Sequence, residues 1–226
     1  MAAGNEGAGV DGGFGLNIRL PFEQSANPFV GDEKMLINYK YFFTRKLFLV
    51  KEAIAFAFFP GGFGTFDEAY EVLTLLQTGK TNLIPVVLLE PKGFGFWGPW
   101  KDYTMKVLAK KGFISKSDEN LYRVFNSPEK AIDHIDLFYR KYHSMRFVKQ
   151  NLSIRLKSPI SKKTLADANK KFPAVTHLGK IKMSGALPEE ENEPEILDLP
   201  RLVFPFDRKD FGSLRQLIDF INESEL

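Results

Sequence analysis

The residues best equipped for chemistry lie in one short segment, Phe58-Phe59-Pro60-Gly61-Gly62-Phe63-Gly64-Thr65-Phe66-Asp67-Glu68. Three glycines within four positions let the backbone bend tightly and come close to a ligand. A helix opening at Thr65 would add unpaired N–H groups and the positive end of its dipole, which together attract an anion. Gly61, Gly62, Gly64 and Thr65 therefore read as a phosphate seat, with the Glu68 carboxylate close to whatever the phosphate anchors. Upstream, Arg45 and Lys46 could present a guanidinium fork and an ammonium to the phosphate or the base. The segment is neither a GxGxxG dinucleotide fingerprint nor a P-loop with its lysine and hydroxyl, which favours the phosphate of a mononucleotide.

Each of these residues also has a plainer role. Thr65-Phe66-Asp67-Glu68 fits a capping box, in which Thr65 caps the third amide and Glu68 reaches back to the cap, so Glu68 would only secure a helix end. A capping box needs no glycine, however, and each glycine costs about 0.5 to 1 kcal/mol where no special backbone geometry requires it. Asp67 points about 100° away from Glu68 on a helix and reads as a helix N-terminal charge. Arg45 and Lys46 taken alone are ordinary solvent-facing charges. Trp97 and Trp100, with Phe94 and Phe96, could wall a base pocket or serve as core. His134, His143 and His177 show no metal-ligand spacing.

Short apolar runs alternating with helical patterns are the signature of an α/β domain. The pattern predicts a strand over residues 14–20, mainly helix over 32–50, and a strand over 53–59 that leads into the glycine turn. A helix over 65–78 ends at Gly79, and Ile84 to Leu89 suits a parallel strand covered on both faces. A glycine- and aromatic-rich loop then leads into a helix through Ala109, and another helix is expected over 127–142. Composition changes near residue 145. The expected division is therefore an N-terminal domain, 1–144, and a small α+β module, 145–226, with strands at 152–156, near 181 and at 202–206, and helices at 162–171 and 211–222.

The chain has 226 residues, 44% of them apolar, and no cysteine, which excludes disulfides, thiolate metal sites and a cysteine nucleophile. Its N-terminus lacks the features of a signal peptide, and its most apolar stretch, residues 47–59, is too short and too charged to span a membrane. A soluble, cytoplasmic protein is expected. Residues 140–182 carry 12 basic side chains and one acidic, whereas 183–226 carry four and 11. The basic block could bind nucleic acid or another polyanion, form a solvated face, or pair with the acidic block beside it.

Arg45-Lys46 followed by Pro60-Gly61-Gly62-Phe63-Gly64-Thr65-Phe66-Asp67-Glu68 resembles the RK and PGGxGTxxE motifs of the lonely-guy family, cytokinin riboside 5′-monophosphate phosphoribohydrolases long labelled lysine decarboxylases. Asn5-Glu6-Gly7-Ala8 resembles the family's A-N-x-G-A helix, and Gly15-Leu16-Asn17-Ile18, Leu20-Pro21-Phe22-Glu23-Gln24 and Asn27-Pro28 its GLNIxLPxEQxxNP strand and loop. Leu75-Leu76-Gln77-Thr78-Gly79-Lys80 is similar to its following helix end, so the likeness covers about residues 1–139.

The resemblance implies a Rossmann-like parallel sheet with helices on both faces. It also implies a homodimer or larger homo-oligomer, and hydrolysis of a nucleoside 5′-monophosphate to free base and ribose 5-phosphate with no metal or redox cofactor. Glu68 would stabilise the ribosyl cation or orient the attacking water. Arg45 would be the second catalytic residue, and Lys46, Gly61, Gly62, Gly64 and Thr65 would line the phosphate site. Family members begin with a strand and glycine-rich loop ahead of the A-N-x-G-A helix, so the first βα unit is expected to be missing. That loss favours the alternative of a nucleotide sensor without turnover; polyanion binding is the third reading. No lysine is placed for a pyridoxal Schiff base.

Overall fold

A computed structural model describes residues 14–18, 36–176 and 179–224. These fall into two compact units, Met1–Ala53 and Ile54–Leu226.

In the first unit, β1 (Gly15–Ile18) pairs in parallel with β2 (Leu36–Tyr39), and α1 (Phe42–Lys51) follows. The stretch 32–50, expected to be mainly helix, thus contributes a strand before its helix. Leu36-Ile37-Asn38-Tyr39 is rich in residues that suit a pleated surface, and β1 supplies the partner that local pattern could not reveal. Tyr39 then stacks on Phe48 of α1 at 5.7 Å. The Asn5–Ala8 segment and the loop containing Leu20–Gln24 and Asn27-Pro28 lie outside the described residues.

The second unit contains two sheets. β3 (Phe56–Phe58), β4 (Val86–Leu89) and β5 (Arg123–Phe125) form a parallel sheet in that order. Between β3 and β4 runs α2 (Phe63–Gln77). Between β4 and β5 come α3 (Trp97–Tyr103), a π-helical segment (Thr104–Ala109) and a 3₁₀ turn (Lys116–Leu121). All four residues of β4 are buried, and since successive side chains point to opposite faces, both faces of this central strand are covered. Val87 and Leu89 pack with Ala131, Phe125 and Ile135, which sets α4 (Pro128–Phe138) on one face. α4 starts with Ser127 accepting the Lys130 N–H, Pro128 in its first turn and Glu129 at its positive end. α2 stops where Gly79 takes φ +65°, with the Gly79 N–H donating to Leu76 O and the Lys80 N–H to Leu75 O.

The second sheet is antiparallel, ordered β6 (Tyr142–Val148), β7 (Asn151–Leu156), β9 (Arg201–Pro205), β8 (Lys182–Ser184), with α5 (Lys162–Lys171) and α6 (Phe211–Glu223). The helix expected over 127–142 ends at Phe138, and β6 instead pairs along β7. Leu152, Ile154 and Leu156 of β7 are fully buried, while Ser153 and Arg155 point to its other face. There Glu190, also fully buried, joins Arg155 at 2.7 Å and Arg201 at 3.2 Å. Arg146 meets Glu193 and Lys149 meets Glu189, each at 2.7 Å, so part of the basic block is paired with the acidic one.

α6 returns to the parallel sheet. Arg215 donates to Ile84 O at 3.4 Å and to Asp219 at 2.8 Å, and Asp219 accepts from Arg123 of β5 at 3.1 Å. The buried Asn222 amide donates to Phe138 O at 2.6 Å, and its oxygen accepts the N–H groups of Lys141 and Tyr142 at 2.8 and 3.1 Å. Gly212 approaches the 3₁₀ turn so closely that an added Cβ would stand 2.1 Å from Ser117 O. Residues on either side of position 145 therefore belong to one compact unit. The architecture is α/β, with parallel sheets flanked by helices, consistent with a Rossmann-like fold, plus an antiparallel sheet. Among the described residues, no helix is long and apolar enough to cross a membrane.

Candidate functional site

The glycine turn occupies the carboxyl end of β3, where ligands collect in open parallel sheets. Phe58 closes the strand as a buried residue, and the chain turns through Phe59, Pro60 and Gly61 to Gly62, the N-cap of α2. The helix starts two residues before the expected Thr65. Thr65 is the third helical residue; its N–H donates to Gly62 O at 3.0 Å, and the N–H of Phe66 reaches the same oxygen at 3.3 Å. The capping box is therefore not formed. Gly62 provides no side-chain cap, and Glu68 sits in the second turn rather than at the third position. Asp67 likewise falls outside the first turn.

This earlier start leaves the amides at Gly62, Phe63 and Gly64 as the leading N–H groups of a 15-residue helix, without intrahelical acceptors. A Cβ on Gly61 would stand 2.1 Å from the Thr65 hydroxyl, so that glycine lets the threonine fold back over the turn. Around Gly62 and Gly64 the situation differs: among the described residues nothing lies within 4 Å of where a Cβ would stand. Both glycines are exposed, and their missing side chains leave open space at the positive end of the helix. Gly64 and Glu68 are four residues apart and share a helix face, so the half-buried Glu68 lies one turn below that space.

The loop after β4 leaves from the carboxyl end of the neighbouring parallel strand. Phe96 stacks on Phe66 at 5.6 Å, which ties this loop to the start of α2. Glu90 at the end of β4 accepts the amides of Phe96 and Trp97 and so fixes the loop, a role the sequence reading missed. Its signal was an acidic residue ending a buried strand shortly before a helix start. Trp97 is fully buried, with its indole N–H on Leu89 O at 3.1 Å, and Trp100 is 8% exposed, so both tryptophans are core. Phe94, 60% exposed between Gly93 (φ +81°) and Gly95 (φ +74°), remains available to meet a ligand.

Arg45 and Lys46 belong to the first unit, on α1. The Arg45 guanidinium lies over the Phe42 ring, 5.8 Å from its centroid. The structure thus gathers Gly61, Gly62, Gly64, Thr65 and Glu68 in one turn and first helix stretch, with Arg45 and Lys46 in the other unit. Among the described residues no group of three or more His, Asp or Glu side chains could hold a metal ion. His177 lies outside the described residues.

No curated protein matches the chain. The family model described as Possible lysine decarboxylase matches residues 1–135, well over half of the 226, and so covers α1, the glycine turn and α2. On that match, the chain belongs to the "possible lysine decarboxylase", or lonely-guy, family.

Proposed function

We propose that the protein hydrolyses the N-glycosidic bond of a nucleoside 5′-monophosphate, of the AMP or cytokinin riboside type, releasing free base and ribose 5-phosphate. The observation that carries this reading is the open space over Gly62 and Gly64 at the start of α2, with Glu68 one turn below on the same face. A 5′-phosphate placed against the leading amides of α2 would be held by hydrogen bonds and the helix dipole. Its ribose would then extend along the helix face toward Glu68.

Bond cleavage develops positive charge on the ribose ring. A carboxylate at Glu68 would stabilise that charge or orient the attacking water, an effect that grows as water is excluded. Arg45 would supply a guanidinium to the phosphate or leaving group, with Lys46 beside it adding charge. Family membership supports these assignments. A homodimer or larger homo-oligomer belongs to the same proposal.

Chromatographic detection of free adenine after incubation with AMP tests the reaction. The expected result is adenine from the wild-type chain and a loss of about 10²- to 10³-fold in Glu68→Gln, a charge-removing change of the kind that costs this much where developing charge is stabilised. Binding of AMP without release of any base would replace hydrolysis by ligand sensing.

A further inference from the structure

A cavity of about 100 Å³, open on one side, lies in the Ile54–Leu226 unit, and no residue of the glycine turn lines it. Its walls are mainly apolar: Leu73 of α2, Trp100 of α3, Met105 and Leu108 of the π-helical segment, Ile114 in the turn beyond that segment, and Leu121. One feature distinguishes it from a packing fault. Its wall includes a six-residue π-helix, Thr104–Ala109, a rare form that is found frequently at functional sites.

We propose that this cavity binds a small uncharged ring, aromatic or aliphatic, of about six heavy atoms, by analogy with apolar cavities of about 150 Å³ that take benzene. The rim explains the absence of charge on the ligand. Glu119 is already paired with Lys101 at 2.7 Å, and Asp118 accepts from Gln77 at 2.5 Å and from the Ser115 N–H at 2.8 Å. A charged guest would have to give up its hydration against apolar walls. Trp100 and Tyr122, ring centroids 5.0 Å apart and inclined at 63°, offer the edge-and-face setting that aromatic rings prefer. Because α2 forms part of this wall, occupancy bears on the helix that also carries Glu68.

The test is a benzene titration followed by methyl NMR of the full chain. Saturable shifts should appear at Leu73, Met105, Leu108 and Ile114, and Met105→Trp, which fills the space, should weaken binding at least tenfold. Leu108→Phe serves as a second filling variant should the tryptophan prevent folding, and dispersed methyl signals report the fold in each. No saturable shift up to the aqueous solubility of benzene, or undiminished binding in a folded filled variant, overturns the proposal.

Discussion

The three glycines of the turn play different parts, although their spacing alone makes them look equivalent. Gly61 is required by packing, because Thr65 occupies the place of its side chain, whereas Gly62 and Gly64 border open space and answer to no described neighbour. The proposed 5′-phosphate would occupy that space. Gly64→Ala therefore separates stability from function: it adds a methyl group inside a helix without a clash. Folding should change little or gain up to about 0.5–1 kcal/mol, while AMP turnover and affinity fall as the methyl enters the anion seat. Urea denaturation beside an adenine-release assay checks both, and unchanged turnover would remove Gly64 from the site. The glycine turn at the end of a strand and Glu68 on the helix that follows it were legible in the sequence. The start of the helix was not, because Thr65-Phe66-Asp67-Glu68 satisfies the capping pattern equally well. Only the backbone path through Gly62 shows that the helix begins earlier.

At the scale of elements, helices α5 and α6 fall close to their expected places because their apolar spacing and their caps agree. Ser161 accepts the Thr164 N–H and Asp210 the Ser213 N–H. Strands β2 and β5 were not legible, since each is short and pairs with a segment well away in the chain, and β6 was not, although it adjoins its partner β7, because His143, Ser144 and Arg146 interrupt its apolar pattern. One contact between helices carries a pH signature. His134 of α4 faces Arg215 of α6, Nε2 to Nη2 at 3.1 Å, and burial together with the Arg215 charge pushes its pKa down to about 4, while Asp219 opposes the shift. A histidine with a depressed folded pKa is neutral in the native state. Its contribution is complete above about pH 6.5 and is lost as pH falls from there toward 4. Acidification over that window should cost the wild type on the order of 1 kcal/mol more than His134→Gln, after allowance for solvent screening. Urea midpoints at pH 7 and pH 4.5 supply the comparison; parallel losses in both proteins would assign the pH dependence to the carboxylates instead.

At the scale of the whole molecule, the question is whether residues 145–226 form a module that folds by itself, as the change in composition proposes, or share one cooperative unit with the parallel sheet. The contacts of α6 favour the second answer. Asp219 sits between Arg123 of β5 and Arg215, whose side chain is only 1% exposed, and Arg215 also reaches Ile84 O at the start of β4. Asn222 closes the end of α4 and the start of β6 with one side chain. Apart from the Arg215–Asp219 pair, one helical turn apart, such links were invisible in the sequence because each joins residues about 80 to 130 positions apart. Asp219→Ala removes the charge between two arginines and leaves Arg215 buried without its counter-ion, a change that typically costs about 3–5 kcal/mol. In one cooperative unit that loss must appear everywhere at once. Tryptophan fluorescence reports the parallel-sheet part through Trp97 and Trp100, and amide exchange along Asn151–Leu156 reports the antiparallel sheet. Both should lose the same free energy in Asp219→Ala, as two-state unfolding requires. Weakened tryptophan signals with undiminished protection at Leu152 and Ile154 would instead show that the antiparallel sheet folds alone, and that α6 only fastens it to the part that carries the glycine turn.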